Sequence, residues 1–233
     1  MAQGVQRLAV ATKGQRTLAD RAFVALHDAI LTGQLEPGER LPIEQLGGIL
    51  GMSAMPIREA LRRLDAAGLV ENVPHRGARV TELSLGDLGE IYEARLALEP
   101  LAAGRAAERF SERDARIGSE LLADLERRPD DDSAETWAAH KAFHFALYQA
   151  AGSSWLLRLI EPLWEMSHRY LLSVSVPRKL ESRGGEHAMI LQACIDGDCE
   201  RAALLLSDHL ETTANDVSLA MGGEALFEPR GAF

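Results

Sequence analysis

Four histidines stand at spacings that suit a metal centre. His140 and His144 are four residues apart, so on one helix they project from the same face at adjacent turns and can chelate a divalent ion. His187 precedes Gly197 by ten residues, and His209 follows it by twelve. If two helices fold back at that glycine, a rise of about 1.5 Å per residue puts both imidazoles about 15–18 Å from the turn, at matched heights. Two pairs could then converge on one ion; the alternative is four bundle histidines, each satisfied by a hydrogen bond. A second group is basic. Arg58 and Arg62 share a helical face with Ala54 and Met55, a pattern that suits base edges and phosphates. Its alternative is a solvated face in which Arg58, Arg62 and Arg63 pair with Glu59 and Asp65.

The elements that must position the arginines are short. Thr17 and Asp20 resemble a capping box ahead of a helix over about 18–32, with Phe23, Leu26 and Ile30 at helical spacing. Residues 35–42 carry a Pro-Gly turn and room for only a short extended piece. A second helix spans roughly 43–50 and ends at Gly51, with Gly47-Gly48 expected to interrupt it. Ser53 is placed to cap a third helix that runs to Ala67, and Pro56 lies in its first turn, where the missing N–H has no intrahelical acceptor. Two strand-like runs, 69–73 and 78–81, flank a turn of Pro74, His75, Arg76 and Gly77. This order is that of a winged helix-turn-helix, whose second helix enters the DNA major groove. Ser53, Ala54, Met55, Arg58 and Arg62 would then face DNA at the N-terminal end of the third helix. His75, Arg76 and Gly77 would face it from the wing tip.

From Ser84 onward the pattern is helical. Helices are expected over 87–110, bent or broken at Pro100, and over 112–127, 134–150, 155–175, 183–196 and 198–220, the last two divided at Gly197. The expected fold is mainly α: a winged helix-turn-helix over 17–82 followed by an antiparallel all-α bundle over 86–220. A flexible arm, 1–16, precedes them and a frayed tail, 221–233, follows.

Charge divides along the same line. The 233 residues carry a formal net charge of −10. Residues 1–80 hold ten basic against eight acidic side chains, and residues 81–233 hold fifteen against twenty-seven. The acidity belongs to the bundle, so the total does not exclude a nucleic-acid partner. No apolar run is long enough to cross a bilayer, and two cysteines, Cys194 and Cys199, make neither a disulfide framework nor a four-thiolate site. A cytoplasmic protein without a membrane partner is expected. Enzyme motifs are missing too: there is no His-Glu-x-x-His, no Gly-x-Ser-x-Gly and no phosphate loop, and Glu165-Met166-Ser167-His168 is the sole Glu-x-x-His where di-iron bundles use two. An architectural DNA-binding protein would leave the second segment unexplained.

The string from Gly38 to Pro42, that from Leu50 to Leu64, Gly68-Leu69-Val70 and His75-Arg76-Gly77 resemble the DNA-binding domain of GntR-family bacterial transcription regulators. Residues 86–220 resemble the FCD effector domain of one branch, in His140-Lys141-Ala142-Phe143-His144, Ala150-Ala151-Gly152-Ser153, Glu186-His187-Ala188-Met189-Ile190, and Gly197-Asp198 to His209-Leu210. The resemblance implies a homodimer that binds a palindromic double-stranded DNA operator, as a metabolite-responsive repressor. It implies a divalent metal, zinc or nickel, on His140, His144, His187 and His209, with His140 standing where metal-binding relatives have Asp or Asn. It further implies a small carboxylate effector met by Arg95, and by Arg169 from the helix before the hairpin. Ala54 and Met55 replace the Arg and Thr that many relatives carry.

Overall fold

In a computed structural model of the protein, residues 17–73, 77–128, 133–174 and 180–228 are described, with the backbone alone over 180–184. The expected arm, the wing-tip residues His75 and Arg76 and the acidic turn 129–132 lie outside them. Two units cluster separately. One takes the chain up to Ser84 together with His168–Ser173; the other takes Leu85–Ser167 and everything from Val174 on.

The first unit begins with α1 (Leu18–Leu31). Thr17 caps it, its Oγ1 accepting from the Asp20 N–H at 3.1 Å and donating to the Asp20 carboxylate at 2.7 Å. α2 (Ile43–Leu50) ends at Gly51, whose φ of 64° needs glycine. Gly47-Gly48 does not interrupt α2. Gly47 is buried where a Cβ would stand 2.7 Å from the Met52 carbonyl oxygen, so it lets the turn between α2 and the next helix close tightly. α3 (Ala54–Ala66) buries Ile57, Ala60, Leu61 and Leu64, a stripe at i, i+3, i+4 and i+7. The wing is β1 (Val70–Val73) antiparallel to β2 (Gly77–Val80), with Val70 opposite Val80. The short extended piece before α2 joins β2, since the Val80 N–H donates to the Glu39 carbonyl and the Leu41 N–H to that of Ala78.

The second unit is built of helices, with no strand among its described residues. α4 (Leu85–Arg109) runs unbroken through Pro100, against expectation. The proline removes one backbone donor, but α4 lies along α9 (Cys199–Ala220) and buries Leu88, Ile91, Tyr92, Ala102, Ala103, Ala106 and Ala107. That burial outweighs the local penalty. α5 (Glu112–Glu126) opens on a complete capping box, in which Ser111 and Asp114 exchange side-chain and backbone bonds. α6 (Ala134–Ala150) and α7 (Ser154–Ser173) follow, and α8 (Leu180–Ile195) turns at Gly197 (φ 72°) into α9. The segment after α9 is not frayed over 221–228. Asn215 Oδ1 accepts from the N–H groups of Leu226 and Phe227 at 2.8 and 2.9 Å, and Asn215 Nδ2 donates to the Phe227 carbonyl at 2.9 Å.

Candidate DNA-reading face and histidine centre

The exposed end of α3 carries Ser53, Ala54, Met55 and Arg58, and Arg62 lies one turn on. Ser53 takes the N-cap position in extended conformation, but its hydroxyl makes no cap bond. Met55 is 76% exposed, an apolar side chain free to meet a thymine methyl. Arg62 donates to Glu59 on its own helix, so part of the solvated-face reading holds. Arg63 turns inward: its Nη1 bonds Asp20 at 2.8 Å and its guanidinium lies 4.2 Å from the Phe23 ring centre. These contacts fasten α3 to α1. Asp20 is held below the usual carboxylate range by the Thr17 hydrogen bond and then by Arg63. Arg79 is claimed by Glu71 at 2.7 Å and Glu82 at 2.8 Å. Gly77 is exposed at the start of β2. Of the four described arginines between 58 and 79, two are therefore structural.

In the bundle the four histidines meet. His140 and His144 come from α6, His187 from α8 and His209 from α9. The ring centres of His187 and His209 lie 4.8 Å apart, in keeping with their similar distances from Gly197, ten and twelve residues. The Nε2 atoms of His140, His144 and His187 are 3.1–3.2 Å from one another. One candidate ligand atom from each of the four lies within 4.8 Å of the others. Imidazoles bound to one ion at about 2.0–2.1 Å place neighbouring nitrogens about 3.0–3.4 Å apart, so the nitrogens of His140, His144 and His187 fit one ion, with His209 beside them within 4.8 Å. Burial, then His140, His187, His209 and Arg95, hold the His144 pKa well below the ordinary histidine value. The ring is thus in the neutral form that binds metal.

The far nitrogens of two of these rings are engaged. His209 Nδ1 lies 2.8 Å from Glu186 Oε2. His144 Nδ1 lies 3.2 Å from the Tyr148 hydroxyl, which donates to Glu99 Oε2 at 2.6 Å. Glu99 is fully buried and also accepts from Trp164 Nε1 at 3.1 Å and from Arg95 Nε at 2.6 Å. Arg95, 4% exposed, gives its Nη1 to Ser167 at 2.9 Å. It pairs with Glu99, four residues on along α4, deep in the bundle. Arg169 is buried too, in the first unit, where its Nη2 donates to the Thr81 carbonyl. Sequence reasoning missed Tyr148, Trp164, Ser167 and Glu186, and it missed that Glu99, a possible surface partner of Arg95, would be buried. Arg95/Glu99 and His144/Tyr148 are both i, i+4 pairs, a signal present in the sequence; the partners on α7 left none.

Known proteins show the same two parts. Residues 18–80 match the family of bacterial regulatory proteins, gntR family, and residues 90–212 match the FCD domain. The HTH-type transcriptional repressor GlaR of Escherichia coli is 31% identical over 211 residues, covering 85% of this chain and 94% of GlaR. A probable D-xylose utilization operon transcriptional repressor of Paenarthrobacter nicotinovorans is 30% identical over 203 residues, covering 87% of this chain and 89% of its own. Among solved structures, E. coli McbR/YncC superposes with a TM-score of 0.74 at 27% identity over 87% of this chain and 98% of McbR/YncC. With a winged head that matches one family model and a histidine-bearing bundle that matches the other, this chain belongs to the GntR family of bacterial transcriptional regulators, carries an FCD domain, and is not an enzyme.

Proposed function

We propose that the protein is a cytoplasmic, metabolite-responsive repressor that binds a palindromic operator as a homodimer and senses a small carboxylate through a metal-containing FCD domain. Repression is supported by the similarity to GlaR, a transcriptional repressor, and to the Paenarthrobacter protein, a probable one. In the head, α3 enters the major groove, with Arg58, Arg62 and Met55 at base edges and phosphates and His75, Arg76 and Gly77 on the wing. The first-turn N–H groups of α3, which Ser53 does not cap, are available to a phosphate. The observation that carries the metal reading is the convergence of His140, His144, His187 and His209 from three helices. Those residues would hold zinc or nickel, both of which imidazole suits. The ion would supply a positive centre for an incoming carboxylate.

Arg95 and Arg169 are the proposed effector arginines. A carboxylate would reach Arg95 by replacing Glu99, its partner here; Arg169, which donates to Thr81 within the first unit, is the second candidate. Such an exchange gives the effector a differential contact with two states of the bundle, which a ligand-driven change requires. Half-sites lie one helical turn or a multiple apart, so moving two heads by a few Å lowers operator affinity. A thermal-shift screen of sugar acids, hydroxy acids and dicarboxylates on the zinc-loaded protein tests the reading. At a hundred times its Kd, a true effector stabilises by about 2.7 kcal/mol. A screen in which no carboxylate raises the melting temperature contradicts it.

A further inference from the structure

An ion on His140, His144, His187 and His209 brings two positive charges to four neutral rings. His140 supplies no negative charge, so compensation must come from outside the ligand set. Two carboxylates stand on the far side of a ligand ring. Glu99 reaches His144 through the Tyr148 hydroxyl, but its charge is already matched by Arg95 at 2.6 Å. Glu186 sits 2.8 Å from His209 Nδ1 and has no Lys or Arg partner among the described residues. It lies one residue before His187 on α8, while His209 is on α9. The contact therefore ties the two helices of the hairpin beside the centre.

We infer that Glu186 is the charge-balancing, positioning residue of this metal site. The inference rests on the metal reading above. Glu186 accepts the Nδ1 proton of His209, which fixes the tautomer whose Nε2 carries the lone pair that a metal needs. It also makes that imidazole a stronger donor and places a negative charge one ring away from the ion. The residue does the electrostatic work of a carboxylate ligand from a position where it touches no metal. At 29% side-chain exposure it remains partly solvated, so its effect falls toward the lower end of what outer partners of metal ligands contribute.

The test is zinc affinity, measured by competition with chelators of graded strength for wild type, Glu186→Gln, Glu186→Ala and Asp124→Asn, a remote acidic control on α5. Glutamine keeps an oxygen for the Nδ1 proton without the charge; alanine removes both. The expected losses are about tenfold for Gln and slightly more for Ala, with one zinc per chain retained and the control unchanged. Long-range 1H–15N spectra of zinc-loaded protein should show His209 protonated at Nδ1 in wild type and in Glu186→Gln. Melting of the chelator-treated variants within a few degrees of wild type assigns the losses to the site, not to folding. Wild-type affinity in both Glu186 variants overturns the inference and leaves the metal reading standing. A wild-type protein that binds no zinc overturns both.

Discussion

Removing the charge of Glu99 should destabilise the bundle by about 3–5 kcal/mol, the cost of leaving one member of a buried ion pair uncompensated. Glu99 has no exposed surface and gathers four donors, from Arg95 Nε and Nη2, Tyr148 and Trp164. In Glu99→Gln an amide N–H₂ must face one of those donors, while the guanidinium of Arg95 keeps its charge in a site sealed from water. Arg95→Met does the converse, stranding the carboxylate with only Tyr148 and Trp164. The double variant removes both charges and leaves the Gln oxygen to accept from one of the two. Its loss should fall short of the sum of the singles by about 2–3 kcal/mol, the coupling of residues in one network. Urea unfolding of chelator-treated protein, followed by tryptophan fluorescence, measures this. Trp137, Trp155 and Trp164 are the three tryptophans of the chain, and all belong to the second unit, so the signal reports that unit alone. Single losses that add to within about 0.5 kcal/mol would refute the claim that Arg95 and Glu99 act as one buried pair.

Other expectations follow from individual contacts. His144→Ala should abolish bound divalent ion, read by elemental analysis; full retention discards the ligand set. Asn215→Ala removes three hydrogen bonds to Leu226 and Phe227, and amide exchange at those two residues should accelerate by at least about tenfold, one hydrogen bond's worth. Unchanged protection there would mean that other contacts hold the segment. Asp20 titrates below its ordinary value because of Thr17 first and Arg63 second. The stability from this pairing is thus present above the unfolded carboxylate pKa, near 3.9, and is lost as pH falls through the lower folded value. In Arg63→Ala the Asp20 carboxylate, followed by NMR, should titrate higher than in wild type; an unmoved titration would assign the shift to Thr17 alone.

Where function depended on spacing along one helix or across one turn, the sequence was legible. The α6 pair needed only a four-residue spacing, and the α8–α9 pair only similar distances from Gly197, and in each pair the rings stand beside one another. The winged head could be read because each of its turns carries its own residue chemistry, as at Gly51, where φ is positive. Contacts set by tertiary packing were not legible. Pro100 has the local signature of a break, yet burial of one face of α4 carries the helix through it. Gly47 looks like an interruption and is instead a close approach to the Met52 carbonyl. Arg95 could be seen to have Glu99 four residues away. Nothing in the sequence showed that Trp164 and Ser167, 65 and 72 residues from their partners, would close over that pair and bury it. The docked segment after α9 hung on one side chain, Asn215, whose i, i+11 and i, i+12 contacts have no periodic signature.

The account stands most directly on sequence-preferring DNA binding by the winged head. Fluorescence anisotropy with DNA from around the protein's own gene, against scrambled DNA of equal length, should be run over a salt series for wild type and Arg58→Ala. Wild type should prefer its own DNA by at least about a thousandfold, with a negative salt slope kept modest by few phosphate contacts. Arg58→Ala should lose about 1–3 kcal/mol of binding and relax the preference at one base position. Equal affinity for both DNAs, or an Arg58→Ala variant indistinguishable from wild type, would contradict the assignment of α3 as the reading helix.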